Sequence, residues 1–88
     1  MTPRKEVARI AGGLSEAQRR MVIASEPGGF GRPDCAYGVQ IHGSDYRVAR
    51  ALGAKGLGTY SHGSPYGDLY FNSANGLAVR AYLQEQNR

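Results

Sequence analysis

The sequence lacks tryptophan, and it has a single cysteine, Cys35, among its 88 residues. One cysteine cannot form a disulfide within the chain. The first residues carry several charges and no apolar run of the kind found in a secretory signal. We therefore expect a reducing, cytoplasmic location. No stretch approaches the ~20 apolar residues needed to span a bilayer, so we expect no membrane partner.

Acidic residues are also scarce. The sequence has 7 Asp and Glu against 11 Lys and Arg, for a formal net charge of +4. A positive excess favours a polyanion such as double-stranded DNA, or alternatively an acidic protein surface.

Groups suited to catalysis or metal binding are few. Cys35, His42 and His62, with Asp34 and Asp45 nearby in sequence, are the candidates. Their spacing fits neither a nucleophile–base pair in a pocket nor a structural zinc site. A chain of this length forms one domain, residues 1–88, with a small core. We expect no enzyme activity, no cofactor and no metal.

The first part of the chain predicts two helices. Residues 1–13 form an N-terminal arm or a short helix that ends at Gly12-Gly13. Ser15 and Gln18 have the spacing of a capping box, which starts a second helix. Its core-facing positions at helical spacing are Leu14, Ala17, Met21 and Ala24, and the positions away from that stripe are Arg19 and Arg20.

Residues 37–41 alternate apolar and other side chains, which predicts a short strand. Residues 57–62 and 68–72 are predicted as a hairpin around the turn sequence 63–67. Either Leu57 and Thr59 or Leu69 and Phe71 point inward. The short strand predicted at residues 37–41 can pair with this hairpin as a third strand.

A basic helix precedes the hairpin. Ser44 or Asp45 caps it, and Gly56 stops it so that Leu57 folds back. Val48, Ala49 and Leu52 lie on one face at 100° per residue. The opposite face has Arg47, Arg50 and Ala54, with Tyr46 at its edge.

A final helix begins at Asn72 or Ser73 and has two apolar stripes. One stripe consists of Leu77, Ala78 and Ala81. The second, Val79 and Leu83 with Tyr82 beside it, forms a homodimer interface or is covered by the N-terminal segment of the same chain. Both alternatives are open at this point.

Three segments together resemble a known family. They are Ala-Leu-x-x-Lys-Gly-Leu at 51–57, Asp-Leu-Tyr-Phe at 68–71, and Ser73-x-x-Gly76 opening an amphipathic helix. Over roughly residues 14–84 the chain resembles winged helix-turn-helix regulators of the multiple-antibiotic-resistance type, and small phage and bacterial domains built the same way. The resemblance implies an α+β winged helix with three to four helices and a small antiparallel sheet of two to three strands. The middle helix usual in that pattern is either present or replaced by a loop.

The resemblance implies a small transcriptional regulator that binds double-stranded DNA, with the 44–55 helix in the major groove and a 57–72 wing. The alternative is a protein-interaction module, or a phage-encoded inhibitor of a host complex, without a DNA target. The residues expected to contact DNA are Ser44, Tyr46, Arg47, Arg50, Ser64, Tyr66, Arg19 and Arg20.

Overall fold

Four α-helices and three short strands follow one another in a computed structural model, which describes residues 4–63, 65 and 67–86. The elements are α1 (Arg4–Gly12), α2 (Glu16–Ala24), β1 (Val39–Gln40), α3 (Asp45–Ala54), β2 (Gly58–Ser61), β3 (Leu69–Asn72) and α4 (Ala74–Gln86). The architecture is α+β with a small antiparallel sheet, as expected from the sequence.

The helix boundaries follow local signals. The Ser15 hydroxyl accepts from the Gln18 N–H at 3.2 Å, and the Gln18 side chain accepts from the Ser15 N–H at 2.9 Å, so the predicted capping box is confirmed. The Ser73 hydroxyl accepts from the Gly76 N–H and starts α4 in the same way. These bonds satisfy backbone donors that a helix leaves free at its first turn.

The end of α3 turns the chain into the hairpin. Gly56 has a φ of 74°, which an L side chain adopts only with strain. The Gly56 N–H donates to the Gly53 carbonyl and the Leu57 N–H donates to the Leu52 carbonyl, both at 3.0 Å. This is the Schellman pattern, and Leu57 folds back to become fully buried. The predicted stop is confirmed.

The sheet has the strand order β1-β3-β2, with both pairings antiparallel. The expected third strand is therefore present at one edge. The predicted inward face is only partly confirmed, because Leu57 is fully buried but Thr59 is exposed, while Leu69 and Phe71 are only half-buried. The fully buried strand residue is Tyr70, which points to the helices from the central strand.

Glycine at position 58 makes room for Tyr70. A Cβ atom there would overlap the Tyr70 ring and the Phe71 carbonyl. Gly58 is paired with Asn72 across the hairpin. The close contact between the Tyr70 ring and the Gly58 backbone therefore lies where the sheet meets the helices. The large ring of Tyr70 can then fill the centre of a core too small for many large side chains.

The helices cover this core on faces that differ in part from expectation. In α2, Met21 and Val22 are buried while Ala17 and Ala24 are exposed. The prediction for the two alanines is wrong because α2 contacts both α3 and α4, which turns the Val22 side inward. The buried apolar residues are Val7, Ala11, Leu14, Met21, Val22, Ala36, Ile41, Ala49, Leu52, Leu57, Tyr70, Val79 and Leu83.

The proposed dimer interface on α4 also needs correction. Val79 and Leu83 are 1% and 8% exposed within a single chain. Helix α1 packs on α4 and supplies Val7 to the same apolar cluster, with Ile10 half-buried beside it. Tyr82 is half-buried, and the Arg4 guanidinium lies 5.5 Å from its ring centre. Since α1 covers this stripe, it is not available to a second copy.

Residues 25–44, between α2 and α3, contain no α-helix and include the short strand β1 at their C-terminal part. The segment has one 3-10 turn, Gly29–Gly31, and an isolated bridge between Pro27 and Ala36. The loop starts at the buried residue Ser25, whose hydroxyl donates to the Tyr37 carbonyl at 2.9 Å.

A buried polar side chain connects the end of α2 to the sheet. Asn72 is 6% exposed, and its amide donates to the carbonyl oxygens of Val22 and Ser25 at 2.8 and 2.9 Å. Its backbone N–H donates to the Ser25 hydroxyl at 3.0 Å, and the Tyr70 hydroxyl donates to its amide oxygen at 2.9 Å. Every hydrogen-bonding group of this side chain is used, which is what makes a buried amide tolerable.

Replacing Asn72 with Ala should lower the free energy of unfolding by about 3 kcal/mol, because several buried polar groups lose their partners at once. Urea unfolding followed by circular dichroism measures the change. Gln86→Ala, on the exposed last turn of α4, serves as the control and should change stability by less than about 0.5 kcal/mol. Equal stability of the Asn72 variant and the wild type would show that the network contributes nothing.

Candidate nucleic-acid interface

Helix α3 presents the predicted basic face to solvent. Ala49 and Leu52 are buried, whereas Arg47, Arg50 and Ala54 are exposed. The face separation predicted from helical spacing is therefore confirmed. The helix start differs, since the Ser44 side chain makes no capping bond. Instead the Asp45 carboxylate accepts from the His42 N–H at 3.0 Å.

The acidic side chains are all engaged. Each of the seven has an ion-pair or hydrogen-bond partner, and two of them, Asp45 and Asp68, are bound near the start of α3. The remaining five form ion pairs, which are Glu6–Arg9, Glu16–Arg20, Glu26–Arg80, Asp34–Arg32 and Glu85–Arg4.

This pairing leaves positive charge concentrated on one helix. Within residues 4–63, 65 and 67–86, the Lys and Arg side chains without an acidic partner are Lys5, Arg19, Arg47, Arg50 and Lys55. Three of these belong to α3 and its C-terminal cap, Lys55. These three cations outnumber the one carboxylate of α3, Asp45, and the excess makes this face the strongest candidate for binding an anion.

The hairpin is fastened to the start of α3 by one carboxylate. Tyr46 on α3 donates its hydroxyl proton to Asp68 Oδ2, and His62 Nδ1 lies 2.9 Å from the same oxygen. The Gly63 N–H donates to Asp68 Oδ1 at 3.1 Å. Asp68 thereby links a helix, the end of β2 and the hairpin turn.

Aromatic contacts reinforce this junction. The rings of Tyr46 and His62 are nearly parallel, at 9°, with centres 6.1 Å apart. Tyr60 meets the His62 ring edge-on at 5.2 Å. Such pairs add to the hydrogen bonds in holding the hairpin beside α3.

The same contacts shift the pKa values of Asp68 and Tyr46. The hydrogen bonds from Tyr46 and then from His62 lower the pKa of Asp68, because they stabilise its charged form. The hydrogen bond to Asp68 raises the pKa of Tyr46, since the phenol must keep its proton to donate it. The junction is therefore a neutral phenol on an ionised carboxylate.

The other predicted contact residues are distributed unevenly. Arg20 lines a shallow groove together with Asp45 and Val48 of α3, and its guanidinium is held by Glu16 at 2.7 Å. Arg19 is exposed and unpaired and lines a cavity of about 320 Å³ between α1, α2 and α4. Ser64 and Tyr66, the predicted wing contacts, lie outside the described residues.

Asp68 and His62 complete the junction but were not among the predicted contacts. Asp68 and Tyr46 are 22 positions apart, so only the folded hairpin brings them together. An acidic residue at the first position of a predicted strand is the one signal the sequence offers for them.

The part of the chain that the structure describes has neither a cluster of metal-binding side chains nor a helix able to span a membrane. No group of three or more His, Cys, Asp or Glu side chains there lies close enough to hold a metal ion. None of the described helices is long and apolar enough to cross a membrane.

The fold and this face define a small basic α+β domain with a hairpin fastened beside an arginine-bearing helix. No protein-family model matches the chain, and neither a curated protein nor a solved structure is significantly similar to it. The surface formed by α3 and the hairpin is therefore the basis for assigning a function.

Replacing Tyr46 with Phe should raise the pKa of Asp68 toward its ordinary value, because the phenol is the largest cause of its lowering. In the wild type the folded-state pKa lies below that of the unfolded chain. The ionised Asp68 carboxylate therefore stabilises the fold at any pH above its pKa in the unfolded chain. This stabilisation is lost as the pH falls through the pKa of Asp68 in the folded state. The variant should lose less stability on acidification.

Carbon-13 NMR titration of the Asp68 carboxyl between about pH 2 and pH 6 measures this shift. Tyr60→Phe is the matched control, since Tyr60 contacts His62 but not Asp68. This variant should leave the titration midpoint of the Asp68 carboxyl unchanged. An Asp68 midpoint that is the same in Tyr46→Phe and the wild type would contradict the assigned junction.

Proposed function

We propose that this domain binds double-stranded DNA through α3 and acts as a small transcriptional regulator of winged-helix type. The observation that supports this most is the group of three uncompensated cations, Arg47, Arg50 and Lys55, on one helix. Nucleic acids present a regular array of negative charges, and such a helix offers the matching positive array.

The dimensions and residue types of α3 suit a major groove. The helix has 10 residues and so spans about 15 Å, and a major groove ~12 Å wide admits an α-helix. Arg47 and Arg50 lie three positions apart, and their planar guanidinium groups can bind guanine edges or phosphates with two hydrogen bonds each. Gly53 and Ala54 add little bulk, which permits close approach.

The hairpin position supports the winged-helix assignment. The chain runs from α3 through β2 and β3 into α4, which is the order expected of a recognition helix, a wing and a closing helix. Tyr46 and Asp68 hold the hairpin beside the start of α3. The chain departs from the family pattern at residues 25–44, where a loop replaces the middle helix.

The second candidate is a module that binds an acidic protein with the same face. The observation in its favour is that hairpin residues 58–63, 65 and 67–72 include no Lys or Arg. A wing without cations gives DNA phosphates only neutral donors. The two candidates differ in how binding responds to salt.

Replacing both Arg47 and Arg50 with Ala should weaken binding to duplex DNA by roughly 10- to 100-fold at low salt. It should also reduce the slope of log Kd against log salt by about 2, because each phosphate contact contributes roughly 0.9. Fluorescence anisotropy on a random duplex, repeated from low to near-physiological salt, gives both quantities.

The matched control is Lys5→Ala with Arg9→Ala, which removes the same charge from α1. If α3 forms the interface, this control should bind within about threefold of the wild type. Equal losses in the two double variants would mean that net charge alone attracts DNA. Absence of wild-type binding at low salt would favour the protein-binding alternative.

A further inference from the structure

Two large apolar side chains are strongly exposed in the described part of the chain, and both lie on one loop. Phe30 is 86% exposed and Tyr37 is 55% exposed. The loop consists of residues 26–37 and joins α2 to β1. An exposed aromatic side chain on an ordered loop is the kind of residue that supplies much of the affinity when a partner buries it.

The loop is held by its own backbone hydrogen bonds. Gly28 and Gly29 both donate to the Cys35 carbonyl, and Tyr37 donates to the Glu26 carbonyl at 2.8 Å. Below these bonds, the Ser25 hydroxyl fastens the Tyr37 carbonyl to the Asn72 network. Because the loop is ordered in this way, presenting its aromatic tip to a partner costs little conformational entropy.

The tip is formed by a residue in an unfavourable conformation. Phe30 has a φ of 57°, and it is the one described residue other than glycine with positive φ. A bulky L residue adopts this region only with strain. The exposure of the ring means that packing within the chain does not offset this strain. Such outliers concentrate at sites where they serve binding.

The charge of loop 26–37 bears on the kind of partner that it can contact. The loop contains Glu26, Arg32 and Asp34, and Arg32 and Asp34 pair at 3.5 Å while Glu26 pairs with Arg80 on α4. The unpaired cations lie elsewhere, on α1, α2 and the α3 segment. The loop is therefore poorly suited to a polyanion. For two copies of a chain with a net charge of +4, it is a surface where mutual repulsion is small.

We propose that loop 26–37 is the contact surface for a second copy of this chain, with Phe30 as its central side chain. A two-fold arrangement places the same surface on both sides, so the aromatic tips meet and each copy offers one Arg32–Asp34 pair to the other. This interface replaces the α4 stripe, which α1 covers. It does not depend on the proposed binding of DNA.

The association should be weak. A loop of about a dozen residues is smaller than the 20–30 residues per side of a standard interface, so we expect a Kd on the order of 10⁻⁴ M. Aromatic side chains buried at the centre would supply most of the affinity.

Sedimentation velocity of the whole chain from about 10 µM to about 1 mM tests this range. The average mass of the wild type should rise toward twice the monomer mass. Phe30→Asn should remain monomeric throughout, and Phe30→Tyr, which keeps the ring, should associate within about threefold of the wild type. Asn tolerates positive φ, so the asparagine variant keeps the loop backbone and should melt at the same or a higher temperature.

A wild type that stays monomeric up to about 1 mM overturns the proposal, as does a Phe30→Asn variant that associates as strongly as the wild type. Vesicles of phosphatidylserine and phosphatidylcholine provide a further arm. A monomeric wild type that cosediments with them, and loses this in Phe30→Asn, overturns the proposal and assigns the loop to a membrane surface.

Discussion

The arrangement of this domain depends on the amide of Asn72. Its donors satisfy the last carbonyl groups of α2, its acceptor receives the Tyr70 hydroxyl, and the next residue caps α4. A side chain with both donors and an acceptor can join α2 to the sheet, whereas an apolar side chain of the same size would leave several buried groups unpaired. In so small a core, this joint defines where β3 lies.

Strand β3 also positions the hairpin relative to the basic face of α3. Asn72 is its last residue, and Asp68 immediately precedes its first. One end is therefore fixed to α2 and α4, and the other is fixed to Tyr46 of α3 and to the hairpin turn. The relative placement of the basic helix and the hairpin follows from one short strand held at both ends. A loss at Asn72 is therefore expected to disturb the α3 face at a distance.

Local signals in the sequence were sufficient to predict the helix boundaries, but they were insufficient to predict which helix faces are buried and by what. The capping box of Ser15 and the stop at Gly56 each involve groups within five residues, so spacing alone predicted them. Ala17 was assigned to the core, and the cover of Val79 was left open between a second copy and the N-terminal segment, because spacing cannot tell which neighbour covers a stripe. The role of Asp68 was not predicted for the same reason, since its partner on α3, Tyr46, comes near only when the hairpin folds.

The distribution of acids gives the surface two different electrostatic regions. Most carboxylates lie beside arginines outside α3, so α3 retains its positive charge while loop 26–37 is nearly neutral. A basic helix repels a second basic helix, but phosphates placed between them remove that repulsion. The proposed contact through loop 26–37 and the proposed binding of DNA by α3 are therefore compatible within one chain. Weak self-association would then become effective when two copies occupy neighbouring sites on DNA, because the duplex raises their local concentration.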